Sequence, residues 1–230
     1  MFHKGLNKEI LVAAAQELIE QDGFQQFSMR KLAEKLDVKT ASLYTHIESM
    51  EMLFTEVGLS ALKAQQEYLM GAVKEKHGDD AVAVLAGAFR RFAFEHPELY
   101  RFIVQIPTGD DAVLKEAATM TAEPFMRVLA DYSISDYRRM HWQRVLRGLM
   151  HGFVSEEQAG YFSHYPISID ESYEIAVRCV IMDYIRKKMT AMTEEKASLF
   201  ADVPVSKAVL TLAVPTVILS LIHISEPTRP

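Results

Sequence analysis

The fold of this chain is decided by residues 27–53, which read FSMRKLAEKLDVKTASLYTHIESMEML. Apolar residues recur there at helical spacing, and Ser28 and Ser49 stand where helix N-caps are expected. Thr40 is a further N-cap candidate, opening one or two helical turns that end near His46. The stretch therefore predicts two short helices joined by a tight turn, followed by a longer helix.

The second short helix has two faces of different chemistry. Leu43 and Ile47 lie one turn apart and are expected to hold the helix against a core, while Ala41 keeps its first turn slim. The other face carries polar side chains that have no evident packing role. These residues are Thr40, Ser42, Tyr44, Thr45 and His46. Such a surface is suited to hydrogen bonding with another molecule.

An amphipathic helix is predicted just before this stretch, over residues 7–22, with Gly23 as its C-terminal stop. Two short helices packed on such a helix form a helix-turn-helix, whose second helix enters the major groove of DNA. Short hydroxyl side chains can approach base edges there, and Tyr44 and His46 can donate hydrogen bonds to phosphate oxygens. The pattern therefore indicates DNA binding.

The charge distribution supports this interpretation only locally. The net charge of −6 argues against a general affinity for nucleic acid, and residues 1–60 hold six Lys/Arg against nine Asp/Glu. Within residues 28–47 the balance is four Lys/Arg against two Asp/Glu. From the pattern alone, a three-helix corner with solvated polar residues stays open as an alternative.

The rest of the chain reads as helical too, so the predicted fold class is all-α. Further helices are predicted from Ser49 to about residue 77 and over residues 80–95, 98–106, 111–131, 135–159 and 169–188. Ser168 opens the last one with a capping-box pattern. The single cysteine, Cys179, lies in an apolar helical run and is expected to be buried. No signal peptide is recognisable, which predicts a cytoplasmic protein.

Residues 27–53 resemble the signature of the tetracycline-repressor (TetR) family of bacterial transcriptional regulators. The resemblance implies a helix-turn-helix DNA-binding domain over residues 1–48. Two departures from the family pattern stand out: Met50 replaces a usual phosphate-binding lysine, and Asp37 replaces the usual turn glycine. Asp tolerates a left-handed backbone, so the turn is expected to form. The residues implied to bind DNA are Ser28, Arg30, Lys39, Thr40, Ala41, Ser42, Tyr44, Thr45 and His46.

The C-terminal half has a likeness of its own. Residues 141–162, HWQRVLRGLMHGFVSEEQAGYF, are similar to the WHG-type ligand-binding region of some TetR-type regulators, and residues 96–107 fit the same type. The likeness implies a ligand-binding and dimerisation domain over residues 49–190. The family dimerises through its last two large helices, so the regulator is expected to be a homodimer.

The helix predicted over residues 135–159 has two distinct sides. One is an apolar stripe that includes Trp142. The other is expected at the dimer interface and comprises Arg144, Arg147, Gly148, His151, Gly152 and Ser155. Gly148 and Gly152 are four residues apart and allow another helix to approach closely. His151 remains open between an interface hydrogen bond and a ligand pocket.

A pocket for a hydrophobic small-molecule inducer is predicted from an aromatic and methionine stripe, which alternatively is ordinary core. Its residues are Phe89, Phe92, Tyr100, Phe102, Met126 and Trp142. No metal or cofactor is predicted, because His141, His151 and His164 lack compact ligand spacing. Glu156 and Glu157 are expected to be solvated.

The sequence therefore favours a ligand-responsive repressor that binds a near-palindromic operator. A helical ligand-binding or interaction protein without DNA binding is the alternative. An enzyme using the C-terminal cavity is a further one, disfavoured because the chain has no glycine-rich phosphate loop, His-Glu-x-x-His motif or nucleophile elbow.

Residues 191–230 differ in character from the rest. Ala208 to Ile222 form an apolar run of fifteen residues, interrupted only by Thr, Ser and Pro215; about 20 residues are needed to span a bilayer. The text from Met192 resembles the start of a multidrug and toxin extrusion transporter, and the closing SLIHISEPTRP resembles a translated sequencing adaptor. The tail is therefore predicted to be a non-native fusion, which points to a neighbouring efflux gene as the target. The alternative is a genuine C-terminal helix that packs on the ligand domain.

Overall fold

The computed structural model describes residues 5–105, 112–164 and 166–181. Within those ranges the chain is helical and forms no strand, which confirms the all-α prediction. Its contacts divide the chain into Met1–Ile185 and Arg186–Pro230, and the described residues all belong to the first unit. The tail, residues 191–230, lies outside them. The helices are α1 (Lys8–Asp22), α2 (Met29–Lys35), α3 (Thr40–Leu43), α4 (Met50–Val73), α5 (Gly78–Glu95), α6 (Pro97–Gln105), α7 (Ala112–Met120), α8 (Glu123–Leu129), α9 (Asp136–Gln158) and α10 (Ile169–Cys179).

The predicted serine caps are present. The side chains of Ser28, Ser49 and Ser168 accept hydrogen bonds from the backbone N–H three residues on, at 3.1–3.2 Å. Each satisfies one N–H group that lacks a partner within its helix. Thr40 does not act as a cap: Lys39 holds the N-cap position of α3, without a side-chain hydrogen bond, and Thr40 is the first helical residue.

The turn between α2 and α3 forms around Asp37. Its φ of 53° is left-handed, as expected where the family pattern has glycine. The Asp37 N–H bonds to the Glu34 carbonyl at 3.2 Å, and the Val38 N–H reaches the Ala33 carbonyl at 3.0 Å. This pair of bonds is a Schellman motif, which stops α2 and directs the chain into α3.

The N-terminal core joins α1, α2, α3 and the start of α4. Leu43 and Ile47 are both buried in it, which confirms the expected inward face of α3. Phe102 also lies in this core, although it comes from α6. Its ring contacts Phe24 and Phe54 at centroid distances of 5.9 and 5.6 Å. Helix α6 therefore packs in the same core as α3.

The C-terminal core lies among α4, α5, α6, α8, α9 and α10 and includes the fully buried Leu85, Phe125 and Met150. The single helix predicted over residues 111–131 is instead two helices, since α7 ends at Met120 and α8 begins at Glu123. Pro124 explains the break: it lacks an N–H, and its ring clashes with the carbonyl four residues earlier in a continuous helix. In the first turn of α8 a proline is well accommodated.

Two further expectations about side chains are wrong. Glu157 is not solvated: its side chain is 11% exposed and accepts two hydrogen bonds from Arg90, at 2.7 and 2.6 Å. Arg90 also donates to Asp170 at 2.6 Å, so one guanidinium connects α5, α9 and α10. Cys179 is exposed, because α10 turns its other face, carrying Tyr173 and Val177, towards the core.

Candidate functional site

Helix α3 and the residues that flank it present the polar surface that the sequence predicts for DNA binding. Tyr44 is 50% exposed, and Lys39, Ala41, Thr45 and His46 are exposed as well. Thr40 and Ser42 are half-buried at the base of this surface. The Thr45 hydroxyl donates to the Ser42 carbonyl at 2.7 Å, which holds the turn after α3. We call these seven residues the recognition surface.

The basic residues around the recognition surface differ in availability. Lys31 pairs with Asp22 at 2.8 Å, and Lys35 pairs with Glu17 at 3.0 Å, so both are engaged with α1. Arg30 makes only a long, exposed contact to Glu34, 3.4 Å away. In the part of the chain that the structure describes, Lys39 forms no ion pair. Arg30 and Lys39 are therefore the cations free to meet phosphate, half the number that the sequence count suggests.

The start of α4 completes this end of the molecule. Met50 is exposed at the first position of the helix, where the family pattern has lysine. The backbone there is capped by Ser49. A thioether cannot donate a hydrogen bond to phosphate, so this position supplies no charged contact to a DNA backbone.

A second group of polar residues lies where α6 meets α9. The Tyr100 hydroxyl hydrogen bonds to His151 Nδ1, and the Ser155 side chain lines the adjoining cleft with it. Burial raises the pKa of Tyr100, against the lowering effects of Ser155 and the Arg147 charge. Burial, together with the Arg147 charge, lowers the pKa of His151. His151 is therefore neutral near pH 7 and leaves Arg147 as the cation of the group.

A surface cleft of about 260 Å³ opens beside this group. Its walls combine hydrogen-bonding side chains with apolar ones. They are Tyr100, Arg101, Val104, Ser155, Gln158 and Ala159. A larger open cleft, of about 360 Å³, lies between α4 and α8 and includes Arg127, but that guanidinium is paired with Asp131 at 3.7 Å.

The predicted aromatic pocket does not form as one site. Phe89 and Tyr100 lie in the C-terminal core, with Trp142 packed against it. Phe92 belongs to a small separate cluster with Ala61 and Leu99, and Phe102 belongs to the N-terminal core. Met126 is half-buried on α8. The grouping of Phe102 with Tyr100 was wrong. The two residues are two positions apart, a rotation of about 200° around the helix axis, so their side chains lie on opposite sides of α6.

Four further residues, which the sequence does not single out, line the cleft with Tyr100 and Ser155: Arg101, Val104, Gln158 and Ala159. The available signal was helical spacing, because Tyr100, Arg101 and Val104 lie on one side of α6. Their meeting with Gln158 and Ala159 of α9 is a tertiary contact that no local pattern shows.

The residues predicted for the dimer interface fall into two groups. Arg144, Gly148 and Gly152 lie on the outer face of α9, and an added Cβ at either glycine would meet no atom within 4 Å. His151 and Ser155 instead turn towards Tyr100 and α6. The hydrogen-bond partner of His151 in the structure is Tyr100 of the same chain. Arg147 lies one helical turn before His151, on the same side of α9.

Within the described ranges, no group of three or more His, Cys, Asp or Glu residues could hold a metal ion. No helix in these ranges is both long and apolar enough to cross a membrane.

Helices α2 and α3 are joined by a tight turn, and α3 exposes polar side chains. This is the arrangement of helix-turn-helix DNA-binding proteins. Comparison with known families agrees. Residues 11–57 match the model for bacterial regulatory proteins of the tetR family, and residues 82–180 match that for the tetracyclin repressor-like C-terminal domain.

Similar proteins lead to the same family. An HTH-type transcriptional regulator of Mycobacterium tuberculosis is 31% identical, over 67% of this chain and 72% of its own. One from Bacillus subtilis is 27% identical, over 65% and 78%. The structure of a protein of unknown function from Rhodococcus sp. RHA1 superimposes with a TM-score of 0.66 at 25% identity, over 78% of this chain and 95% of that one. The chain belongs to the TetR family and is a DNA-binding transcriptional regulator.

Proposed function

We propose that this regulator is a ligand-responsive repressor that binds a near-palindromic operator as a homodimer. Residues 1–48 serve as the DNA-binding domain, and residues 49–190 bind ligand and the second subunit. The observation that carries the proposal is the position of α6, which contacts both the N-terminal core and the polar cleft. Because the protein binds operator DNA, we place it in the cytoplasm.

The recognition surface reads the operator through α3 in this proposal. Tyr44 and His46 are exposed donors placed for phosphate, which positions the protein without reading sequence. Thr40, Ser42 and Thr45 are short enough for base edges in the major groove. Arg30 and Lys39 add charge to backbone contacts, so affinity should fall as salt rises.

Substitutions on the recognition surface should separate these two roles. Tyr44→Phe should weaken binding to all operator variants alike, by about tenfold, because it removes a hydrogen bond to a charged phosphate. Thr40→Ala or Ser42→Ala should change the preference among operator variants, since a good base contact discriminates by about 1–3 kcal/mol. Binding is measured by mobility shift, with circular dichroism to check folding. If Tyr44→Phe changes preference but not overall affinity, these assignments are wrong.

The outer faces of α9 and α10 support the homodimer. They expose apolar side chains that a monomer gains nothing from exposing, including Tyr137, Val145 and, at 54% exposure, Ile175. Opposite charges are exposed on the two helices, Arg144 on α9 and Glu171 on α10, whereas Glu174 of α10 is paired with Arg178. In a twofold dimer the same patch meets itself, so α9 of one subunit can pack against α10 of the other with these charges paired.

Helix α6 provides a physical route from ligand to DNA. Glu20 of α1 accepts a hydrogen bond from the Leu99 N–H at 2.9 Å and contacts His96 Nδ1 at 3.1 Å. Phe102 fills the N-terminal core, while Tyr100 faces the cleft. A ligand that shifts α6 must therefore also shift α1, and with it α2 and α3. Two recognition helices moved out of register no longer match successive major grooves.

The regulated gene is proposed to encode an efflux pump. The support is the resemblance of residues from Met192 onward to the start of a multidrug and toxin extrusion transporter. A fusion of that kind places the transporter gene next to the regulator. Resequencing the locus should show the regulator's reading frame ending near residue 190, with a transporter gene beside it. A single intact frame running well beyond residue 230 would overturn this assignment.

A further inference from the structure

The open cleft between α4 and α8 is lined by two cations. Its volume is about 360 Å³, and its walls are Met70, Gly71, Val73, Lys74 and Arg127. That volume lies within the range of about 300–1,000 Å³ that is typical of ligand clefts. Among the described residues no acidic side chain lines it, so the charge of its walls is positive.

The two cations are only weakly engaged by the described residues. Lys74 is exposed and forms no ion pair in the part of the chain that the structure describes. Arg127 has Asp131 as its ion-pair partner at 3.7 Å, longer than a hydrogen bond, and lies 3.5 Å from the Lys76 carbonyl. Asp131 is held more closely by the Gly78 N–H, at 2.8 Å. Both cations therefore keep donors that an anion from outside the chain can use.

The cleft combines this charge with an apolar wall. Lys74 follows Met70 by one helical turn, so the two residues share a face of α4. Met70 is half-buried and supplies apolar surface next to the cations. Glu123, one turn before Arg127 on α8, accepts a hydrogen bond from Gln66 and does not line the cleft. The walls therefore suit a molecule that has an acidic group and an apolar part.

Gly71 leaves space in this cleft. Glycine is a poor helix former, yet it occupies the third-last position of α4. A Cβ added at Gly71 would meet no atom within 4 Å. Close packing therefore does not require glycine here, and a larger side chain has room to fill the cleft.

The cleft lies far from the recognition surface. Met50 begins α4 at the DNA-binding end of the molecule, and Lys74 follows the last residue of the same helix. At a rise of 1.5 Å per residue, the two positions are about 36 Å apart along α4. Operator phosphates at α3 therefore do not reach the cleft, and its anion has to be a different molecule.

We propose that the cleft between α4 and α8 binds a small amphipathic anion, whose acidic group lies between Lys74 and Arg127 and whose apolar part lies against Met70 and Gly71. Ammonium and guanidinium donors favour an anionic oxygen group, because charge-assisted hydrogen bonds are stronger than neutral ones. An amine is disfavoured, since it meets two cations and no carboxylate among the described walls. The cleft is separate from the one between α6 and α9, so the inference does not rest on the proposed ligand response.

The test compares probes that share an apolar part and differ in charge. Octanoate, octyl sulfate, octylamine and octanol are titrated into the full-length protein, each below the concentration at which it forms micelles, and binding is followed by calorimetry. At least one of the two anions should bind saturably, about tenfold or more tightly than the amine and the alcohol. The proposal is overturned if neither anion binds, or if octylamine or octanol binds as tightly. Cations that only offset the dipole at the C-terminal end of α4 would give that result.

Two pairs of variants locate the site. Lys74→Gln should weaken anion binding by about tenfold, the loss expected for a charge-assisted hydrogen bond. Lys63→Gln is its control, because it makes the same charge change on the same helix outside the cleft, and should leave anion binding unchanged. Gly71→Leu should abolish anion binding by filling the cleft, and should stay folded because leucine is a better helix former than glycine. Gly71→Ala brings a similar gain in helix propensity with little added volume, and should still bind.

Thermal unfolding of each variant shows that it is folded. The assignment to this cleft is wrong if Lys74→Gln binds the anion like Lys63→Gln, or if Gly71→Leu binds it like Gly71→Ala. If Gly71→Leu does not fold, the comparison of the two lysine variants decides.

Discussion

Phe102→Ala should lower the free energy of unfolding by about 3–5 kcal/mol, the range for truncating a buried phenylalanine. The side chain is 5% exposed and sits between Phe24 and Phe54 in the N-terminal core. Its loss leaves a cavity under the helix-turn-helix and also releases α6 from that core. Operator affinity should therefore fall at temperatures where the variant is still folded. Urea denaturation and mobility shift measure the two effects.

Phe94→Ala is the matched control for this prediction. Phe94 is 46% exposed on α5, so the same truncation should cost less than about 1 kcal/mol and leave operator binding unchanged. If Phe102→Ala costs no more than Phe94→Ala, α6 is not anchored in the N-terminal core, and the proposed route from ligand to DNA fails with it.

Arg90→Met should lower the free energy of unfolding by about 3 kcal/mol, the lower end of the range for removing one partner of a buried ion pair. The estimate is low because the Arg90 side chain is 22% exposed. The substitution leaves Glu157, which is 11% exposed, without its cation. It also removes the ion pairs that connect α5 to α9 and α10. The guanidinium also lies 5.5 Å from the Tyr173 ring centre, a contact that methionine replaces only in part.

The neighbouring arginine supplies the control. Arg91 is exposed on the same helix, so Arg91→Met should change stability by about 0.5 kcal/mol or less. Converting Glu157 to methionine in the Arg90→Met background should recover most of the loss, because the uncompensated carboxylate is then removed. If the double variant is as unstable as the single one, the loss of stability comes from packing and not from the unpaired Glu157 carboxylate.

Local features of this fold were predictable from the sequence. Serine caps act within three residues, so Ser28, Ser49 and Ser168 could be recognised from the chain alone. The left-handed turn at Asp37 follows from its place in the family pattern, and the burial of Leu43 and Ile47 follows from their helical spacing. Each depends on neighbours that are close in sequence.

Contacts between helices were not predictable in the same way. Helical periodicity shows that a side chain faces inward but does not identify the helix it meets. Periodicity therefore groups Phe102 with the wrong cluster, and it predicts a solvated Glu157 because the ion-pair partner, Arg90, is 67 residues away. The pairing of Tyr100 with His151 across 51 residues is of the same kind. The break between α7 and α8, in contrast, is predictable locally, because Pro124 disfavours a continuous helix over residues 111–131.

In the proposed function, two copies of this chain bind one operator through α3. Hydroxyl-radical footprinting on DNA flanking the gene tests it most directly, together with the chain-to-operator stoichiometry at two salt concentrations. We expect two chains per operator and two protected regions related by a twofold axis, about 34 Å or a multiple of it apart. We also expect a steep fall in affinity at the higher salt. A single asymmetric protected region bound by one chain, or an affinity that does not change with salt, would contradict this proposal.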